Sequence, residues 1–214
     1  YTPQHTLSLH DALPIYAVWE SNFKDIIIKD KLHIRADFHP AKTDIEEELL
    51  IAPKMAFGTG HHSTTFMILN WMTDQNFRGQ SVLDFGCGTG ILGIYAKKKE
   101  CQKLVMVDIE EQAIENSKEN AKLNNVLIDS IFLGSVEQVK GMKFDLILAN
   151  ITRNILQETL PTLSSLLNSK GLIIVSGFLI QDKEFMEQLL KNNGLTPKET
   201  FTDKDWVSIL ASNN

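Results

Sequence analysis

From about residue 60 onward, short apolar runs alternate with stretches in which apolar residues recur every three or four positions. The runs predict strands and the stretches predict amphipathic helices. Ile68, Trp71 and Met72 share one face of a helix predicted over His61 to Met72, which a polar turn over Asn76 to Gln80 closes. Strands are then predicted over Ser81–Phe85, Lys103–Asp108, Ile128–Leu133, Phe144–Ala149 and Leu172–Gly177. Helices over Ile91–Lys99, Glu111–Leu123, Asn154–Leu167 and Lys183–Lys191 fall between or after them, the last closing at Asn193-Gly194. Two final strands, Leu195–Phe201 and Trp206–Ala211, flank the polar Thr202 to Asp205. The rhythm predicts an α/β fold: a seven-stranded sheet, mostly parallel and covered on both faces, with an antiparallel hairpin at its carboxyl end.

The first 54 residues follow another rule. Ile26, Ile27 and Ile28, then Leu32 and Ile34, cluster around Lys29-Asp30-Lys31. This predicts a hairpin in a linker piece spanning 16–54, ahead of a main domain over 55–214. Residues 1–15 fit neither pattern. Thr6 to Ile15 resembles a sequencing adapter translated in frame, so this segment is expected to be non-native.

A chain of 214 residues with 43% hydrophobic content has room for one ordinary domain and an appendage. A net charge of −6 and a pI near 5.5 argue against direct binding of nucleic acid and permit a basic protein partner. Cys87 and Cys101 have no metal-ligand or redox spacing, and no charged start precedes an apolar core, so a cytoplasmic setting is the expectation. No apolar run approaches the roughly 18 residues that cross a bilayer, so no membrane association is expected.

The chemistry concentrates in Val82-Leu83-Asp84-Phe85-Gly86-Cys87-Gly88-Thr89-Gly90-Ile91. A strand running into alternate glycines makes a turn that carries positive φ and admits a ligand against bare backbone. Asp108 ends the next strand about 20 residues past Gly86, where a carboxylate accepts hydrogen bonds from ribose hydroxyls. A dinucleotide site places glycines first, third and sixth, whereas here they stand first, third and fifth and Ile91 takes the sixth place. That spacing suits a nucleoside cofactor without phosphates, and S-adenosylmethionine is the expected one.

Three signatures together carry a family resemblance over about Trp19 to Asn214. They are Ala56-Phe57-Gly58-Thr59-Gly60-His61-His62-Ser63-Thr64-Thr65, the glycine turn with Asp108, and Leu148-Ala149-Asn150-Ile151. The chain resembles the class I methyltransferases that modify the ribosomal stalk-base protein L-eleven. The resemblance implies a Rossmann-like sheet, S-adenosylmethionine as cofactor with Thr65, Gly86, Asp108 and Asn150 as its contacts, and methylated amino groups on a large-subunit ribosomal protein as product. It also implies an amino-terminal substrate-capturing domain, which is expected to be missing from the sequence as given.

Beside the resemblance, the residues have readings of their own. Methyl transfer is an in-line displacement, so geometry is the main demand, and a lysine amine must arrive neutral to attack. Asn150 stands at the carboxyl end of a strand, where open α/β sheets place ligands. It is the catalytic candidate: its carbonyl can accept N–H bonds from the amine or from the cofactor, or the residue can simply end the strand in a turn. Asn150-Ile151-Thr152-Arg153 lacks the aromatic residue that stacks on planar acceptors in methyltransferases carrying Asn-Pro-Pro-Tyr, which favours an aliphatic amine. Thr59, Gly60 and Thr65 fit a turn and helix cap as well as a site. Asp84 buttresses either the turn or the cofactor's amino group, Cys87 reads as a packing residue, and Glu137 is placed near the adenine. His61 and His62 are adjacent and point about 100° apart on a helix, which disfavours a metal. Two alternatives remain: a small-molecule methyltransferase of the same fold, and a cofactor-binding module without turnover.

Overall fold

The computed structural model describes residues 24–52 and 58–213. Its elements are β1 (Ile26–Ile28), β2 (Leu32–Arg35), β3 (Glu47–Leu50), α1 (Ser63–Met72), β4 (Ser81–Phe85), α2 (Ile91–Lys98), β5 (Lys103–Asp108), α3 (Glu111–Leu123), β6 (Ser130–Leu133), β7 (Phe144–Asn150), α4 (Arg153–Ser165), β8 (Leu167–Leu179), α5 (Lys183–Asn192), β9 (Leu195–Asp203) and β10 (Trp206–Asn213). The main sheet has the order β6-β5-β4-β7-β8-β10-β9. Its first five strands are parallel, and β10 runs antiparallel to both its neighbours.

Strand alternation divides the core in two. Val82, Leu104, Met106, Leu146 and Leu148 face α1, α2, α3 and the amino-terminal strands. Leu83, Val105, Val107, Ile147 and Ala149 face Leu156, Leu160 and Leu163 of α4 and Met186 and Leu190 of α5. Each such fully buried aliphatic side chain contributes about 1.5–3 kcal/mol relative to exposure. Chain order reverses between β4 and β7, and the carboxyl ends of strands at such a switch point are where open α/β sheets hold ligands.

Two features go beyond the expected pattern. The carboxyl-terminal hairpin forms, but its second strand, β10, enters the sheet beside β8 and pushes β9 to the edge. Burial explains the exchange: Val207 to Ser212 is buried throughout, while β9 carries Pro197, Lys198 and Glu199, which suit a solvated edge. The amino-terminal hairpin over β1 and β2 also forms, and β3 joins it in parallel. Ile28, Leu32, Ile34, Leu49 and Ile51 enter the same core as Leu69, Tyr95 and Leu104. Polar contacts fix this small sheet as well. Lys29 and Lys31 both reach Asp74 at 2.6 Å, holding its carboxyl down at about 2. Glu47 takes Lys99 at 3.2 Å and the Tyr95 hydroxyl. The segment placed in a linker by its sequence is therefore packed on the main sheet over residues 24–52. Residues 1–15, expected to be non-native, lie outside the described residues.

Leu49 is fully buried, so Leu49→Ala is expected to cost about 2–5 kcal/mol. The loss should appear in a single denaturant transition shared by the whole chain. A separate early transition, with the main one unchanged, would show that the small sheet folds independently.

Candidate cofactor and methyl-transfer site

The turn after β4 places left-handed residues at Gly86, Gly88 and Gly90, with φ of 73°, 55° and 77°. Side chains tolerate that region poorly, which accounts for the alternate glycines. Gly86 has a second reason: a Cβ there would overlap the Ile151 side chain. Gly86 and Cys87 donate their N–H groups to the Val107 carbonyl at 2.8 and 3.1 Å, pinning the turn to β5. Behind it Asp84 is buried and accepts the Gly93 N–H at 2.9 Å. Asp84 therefore buttresses the turn through the first helical turn of α2.

A cavity of about 450 Å³ opens over this turn, lined among others by Gly86, Gly88, Asp108, Ile109, Gly134 and Ser135. That volume lies in the range of small-ligand sites. Asp108 is already oriented: its Oδ2 accepts from the Gly88 N–H at 2.9 Å and its Oδ1 from the Glu110 N–H at 3.0 Å. Each carboxylate oxygen keeps a lone pair for a ribose hydroxyl. The glycine cradle, the held carboxylate and the apolar Ile109 beside them fit a nucleoside.

Thr65 and Asn150 form a second group. Asn150 donates its Nδ2 to Thr65 Oγ1 at 3.1 Å, and its Oδ1 is buried with no partner among the described residues. Buried acceptors are rarely left unpaired, so this oxygen marks a place for a ligand donor. The two groups meet through Ile151, which packs on Gly86 and lines the cavity. Gly177, with φ of 99°, makes room for the Ile151 backbone, since a Cβ there would overlap its carbonyl. Ser176, paired with Asn150 across the sheet, accepts a 2.6 Å bond from the Ser208 hydroxyl on β10.

The remaining candidates sort as follows. His62, not Thr59 or Thr65, caps α1, its Nδ1 accepting from the Thr64 N–H at 3.4 Å. Its ring lies edge-on to Trp206 at 4.6 Å, and burial with the nearby Lys204 charge lowers its pKa. His61 Nε2 bonds the Lys24 carbonyl at 2.7 Å, and no group of three or more potential metal ligands occurs among the described residues. Gly60 lies against Ile26 and Ile34 of the small sheet. Cys87 is buried beside Ser117 Oγ, and burial pushes its thiol far up, as suits a packing residue. Glu137 pairs with Lys140 at 2.5 Å and does not line the cavity, where its neighbours Gly134 and Ser135 stand instead. Ala56 and Phe57 lie outside the described residues.

A family profile described as "Ribosomal protein L11 methyltransferase (PrmA)" matches residues 7–214. The chain belongs to the ribosomal protein L11 methyltransferase family. A ribosomal protein L11 methyltransferase of Porphyromonas gingivalis is 41% identical over 193 residues, covering 89% of this chain and 67% of that protein. One from Pseudomonas putida is 36% identical over 182 residues, covering 85% and 62%. Among solved structures, the ribosomal protein L11 methylase of Lactobacillus delbrueckii subsp. bulgaricus superposes with a TM-score of 0.80 at 29% identity, covering 90% of this chain and all of that one. The fold is thus that of a class I methyltransferase, and S-adenosylmethionine is the cofactor. When bound, its sulfonium supplies an activated methyl group.

Asp84 offers a titration that reports on the turn. Burial, opposed by the Gly93 N–H and helped by the Asp108 charge, pushes its carboxyl up to about 7. Protonation therefore favours the folded chain. That contribution is complete below the unfolded carboxyl's pKa of about 3.9 and is lost as pH rises through about 7. Asp84→Asn has no such proton to lose. Its Tm relative to the unaltered chain is expected to rise between about pH 5 and pH 7 and then level off. Parallel curves across that range would contradict the buried carboxyl assignment.

Proposed function

We propose that this methyltransferase acts on amino groups of ribosomal protein L11, at lysine side chains, the amino terminus or both. In this reading Thr65, Gly86, Asp108 and Asn150 contact the cofactor, and Asn150 is also the catalytic residue that orients the attacking amine. The stalk-base protein arrives as a soluble partner in the cytoplasm, and nucleic acid is not contacted directly.

The buried Oδ1 of Asn150, without a partner among the described residues, carries the proposal. One Nδ2 hydrogen goes to Thr65, which orients the amide and leaves Oδ1 as the acceptor that a ligand can use. An acceptor suits an amine, whose N–H bonds it can align while the nitrogen lone pair stays free to attack. An acceptor can also take an N–H from a planar amide or base nitrogen, so the preference for an aliphatic amine rests on Ile151, which provides no aromatic face for a planar group to stack on. Asn150 holds a neutral amine but does not deprotonate an ammonium, so the amine loses its proton before it reaches this oxygen.

The test uses purified ribosomal protein L11 and S-adenosylmethionine carrying a labelled methyl group. Label is expected on amine nitrogens, located by mass spectrometry. Asn150→Ala should lower kcat about ten- to a hundredfold, the worth of one or two hydrogen bonds made to the reacting group. Thr65→Val should resemble it, because the freed amide can turn its Nδ2 toward the site, while Thr65→Ser should retain most activity. Unchanged turnover in Asn150→Ala, or label confined to small molecules, would contradict the proposal.

A further inference from the structure

Helix α3 turns a row of uncharged polar side chains inward. Ser117, Asn120 and Asn124 are all buried, at positions i, i+3 and i+7 on one face. The Ser117 hydroxyl donates to the Gly88 carbonyl at 3.0 Å. Asn120 donates its Nδ2 to the Thr89 carbonyl at 2.8 Å, and its Oδ1 accepts the Ala52 N–H at 2.8 Å. Asn124 accepts the Leu50 N–H at 2.9 Å and donates to the Leu50 carbonyl at 2.6 Å. Among the described residues, Asn120 is thus the one member of the row that touches both the glycine turn and the chain leaving β3. Thr89 adds a second tie, donating its hydroxyl to the Gly58 carbonyl at 2.6 Å.

We infer that Asn120 is a positioning residue for cofactor binding, coupling the seat of the small amino-terminal sheet to the conformation of the glycine turn. A turn with three left-handed residues has carbonyls that no helix or strand ladder satisfies. They point into the protein, so they need donors from elsewhere. Asn120 supplies one and takes its own orientation from Ala52. Displacing Ala52 frees the amide to rotate and loosens Thr89, and a cofactor that fixes the turn tightens Ala52 in return, because such coupling is reciprocal. Asn124 performs a similar task for Leu50 without reaching the turn, which makes it the control. The inference concerns cofactor binding and is independent of the identity of the protein substrate.

Calorimetry with S-adenosylmethionine and hydrogen exchange with S-adenosylhomocysteine, both on the whole chain, test it. Asn120→Ala is expected to raise the cofactor dissociation constant about tenfold, whereas Asn124→Ala should change it less than about twofold although both lower Tm. In the unaltered chain, saturating S-adenosylhomocysteine should slow exchange of the Ala52 amide by a larger factor than amides of β10. Asn120→Ala should remove that excess protection. An unchanged dissociation constant in Asn120→Ala would overturn the inference. So would equal slowing at Ala52 and β10 in the unaltered chain, a measurement that decides the question even if the variant does not fold.

Discussion

Everything at this site depends on how the backbone from Gly86 to Gly90 is held. Three of its residues have positive φ, a conformation that no regular element sustains. It persists because its polar groups are tied on every side. Val107 takes two N–H groups, Asp108 takes that of Gly88, and Ser117 and Asn120 cover the carbonyls of Gly88 and Thr89. The same Asp108 that faces the cavity thereby helps to shape the turn beside it. The proposed binding residue and the scaffold are one hydrogen-bond system, which is how a short loop acquires the rigidity that ligand positioning requires.

The second constraint is the close passage of Ile151. Asn150 ends a strand beside the switch point, and the next residue fits between Gly86 and Gly177 only because neither carries a Cβ. The cavity over the glycine turn and the Thr65–Asn150 pair are therefore fixed relative to each other by packing. Under the proposed function, a methyl donor held over the turn and an acceptor oxygen for the amine need such a fixed separation, since transfer is sensitive to small displacements.

Much of this arrangement was legible in the sequence, and the exceptions have physical causes. β4, β5 and α3 begin and end where apolar runs, glycines and periodicity place them, because those signals coincide there. β8 is longer than expected and begins at Leu167, because the polar Asn168 to Gly171, with Lys170 at φ 63°, is an irregularity inside the strand: pairing with β7 resumes after it, from Phe144–Leu167 to Leu146–Leu172. β3 is not legible in the pattern: its acidic start obscures an inward Leu49, and Glu47 and Glu48 find partners in Lys99, Tyr95 and Arg35 that only the fold brings near. The insertion of β10 ahead of β9 follows from relative burial, a comparison between strands that local pattern does not make. Ser117, Asn120 and Asn124 were missed because polar residues on a helix read as a solvated face. Their signal was present in retrospect: all three are uncharged and share the stripe of Ala113, Ile114 and Ala121. Gly86, Asp108, Thr65 and Asn150 were singled out, but the pairing of Thr65 with Asn150 spans 85 residues of chain and is visible only in the fold.

The central claim is that the glycine turn with Asp108 seats the nucleoside of the cofactor. Calorimetric titration of S-adenosylmethionine into the unaltered chain and into Asp108→Ala tests it most directly. Loss of hydrogen bonds to a charged acceptor, about 1.5–3 kcal/mol each at most, should weaken binding by more than about tenfold. An unchanged dissociation constant in a folded Asp108→Ala chain would contradict the account.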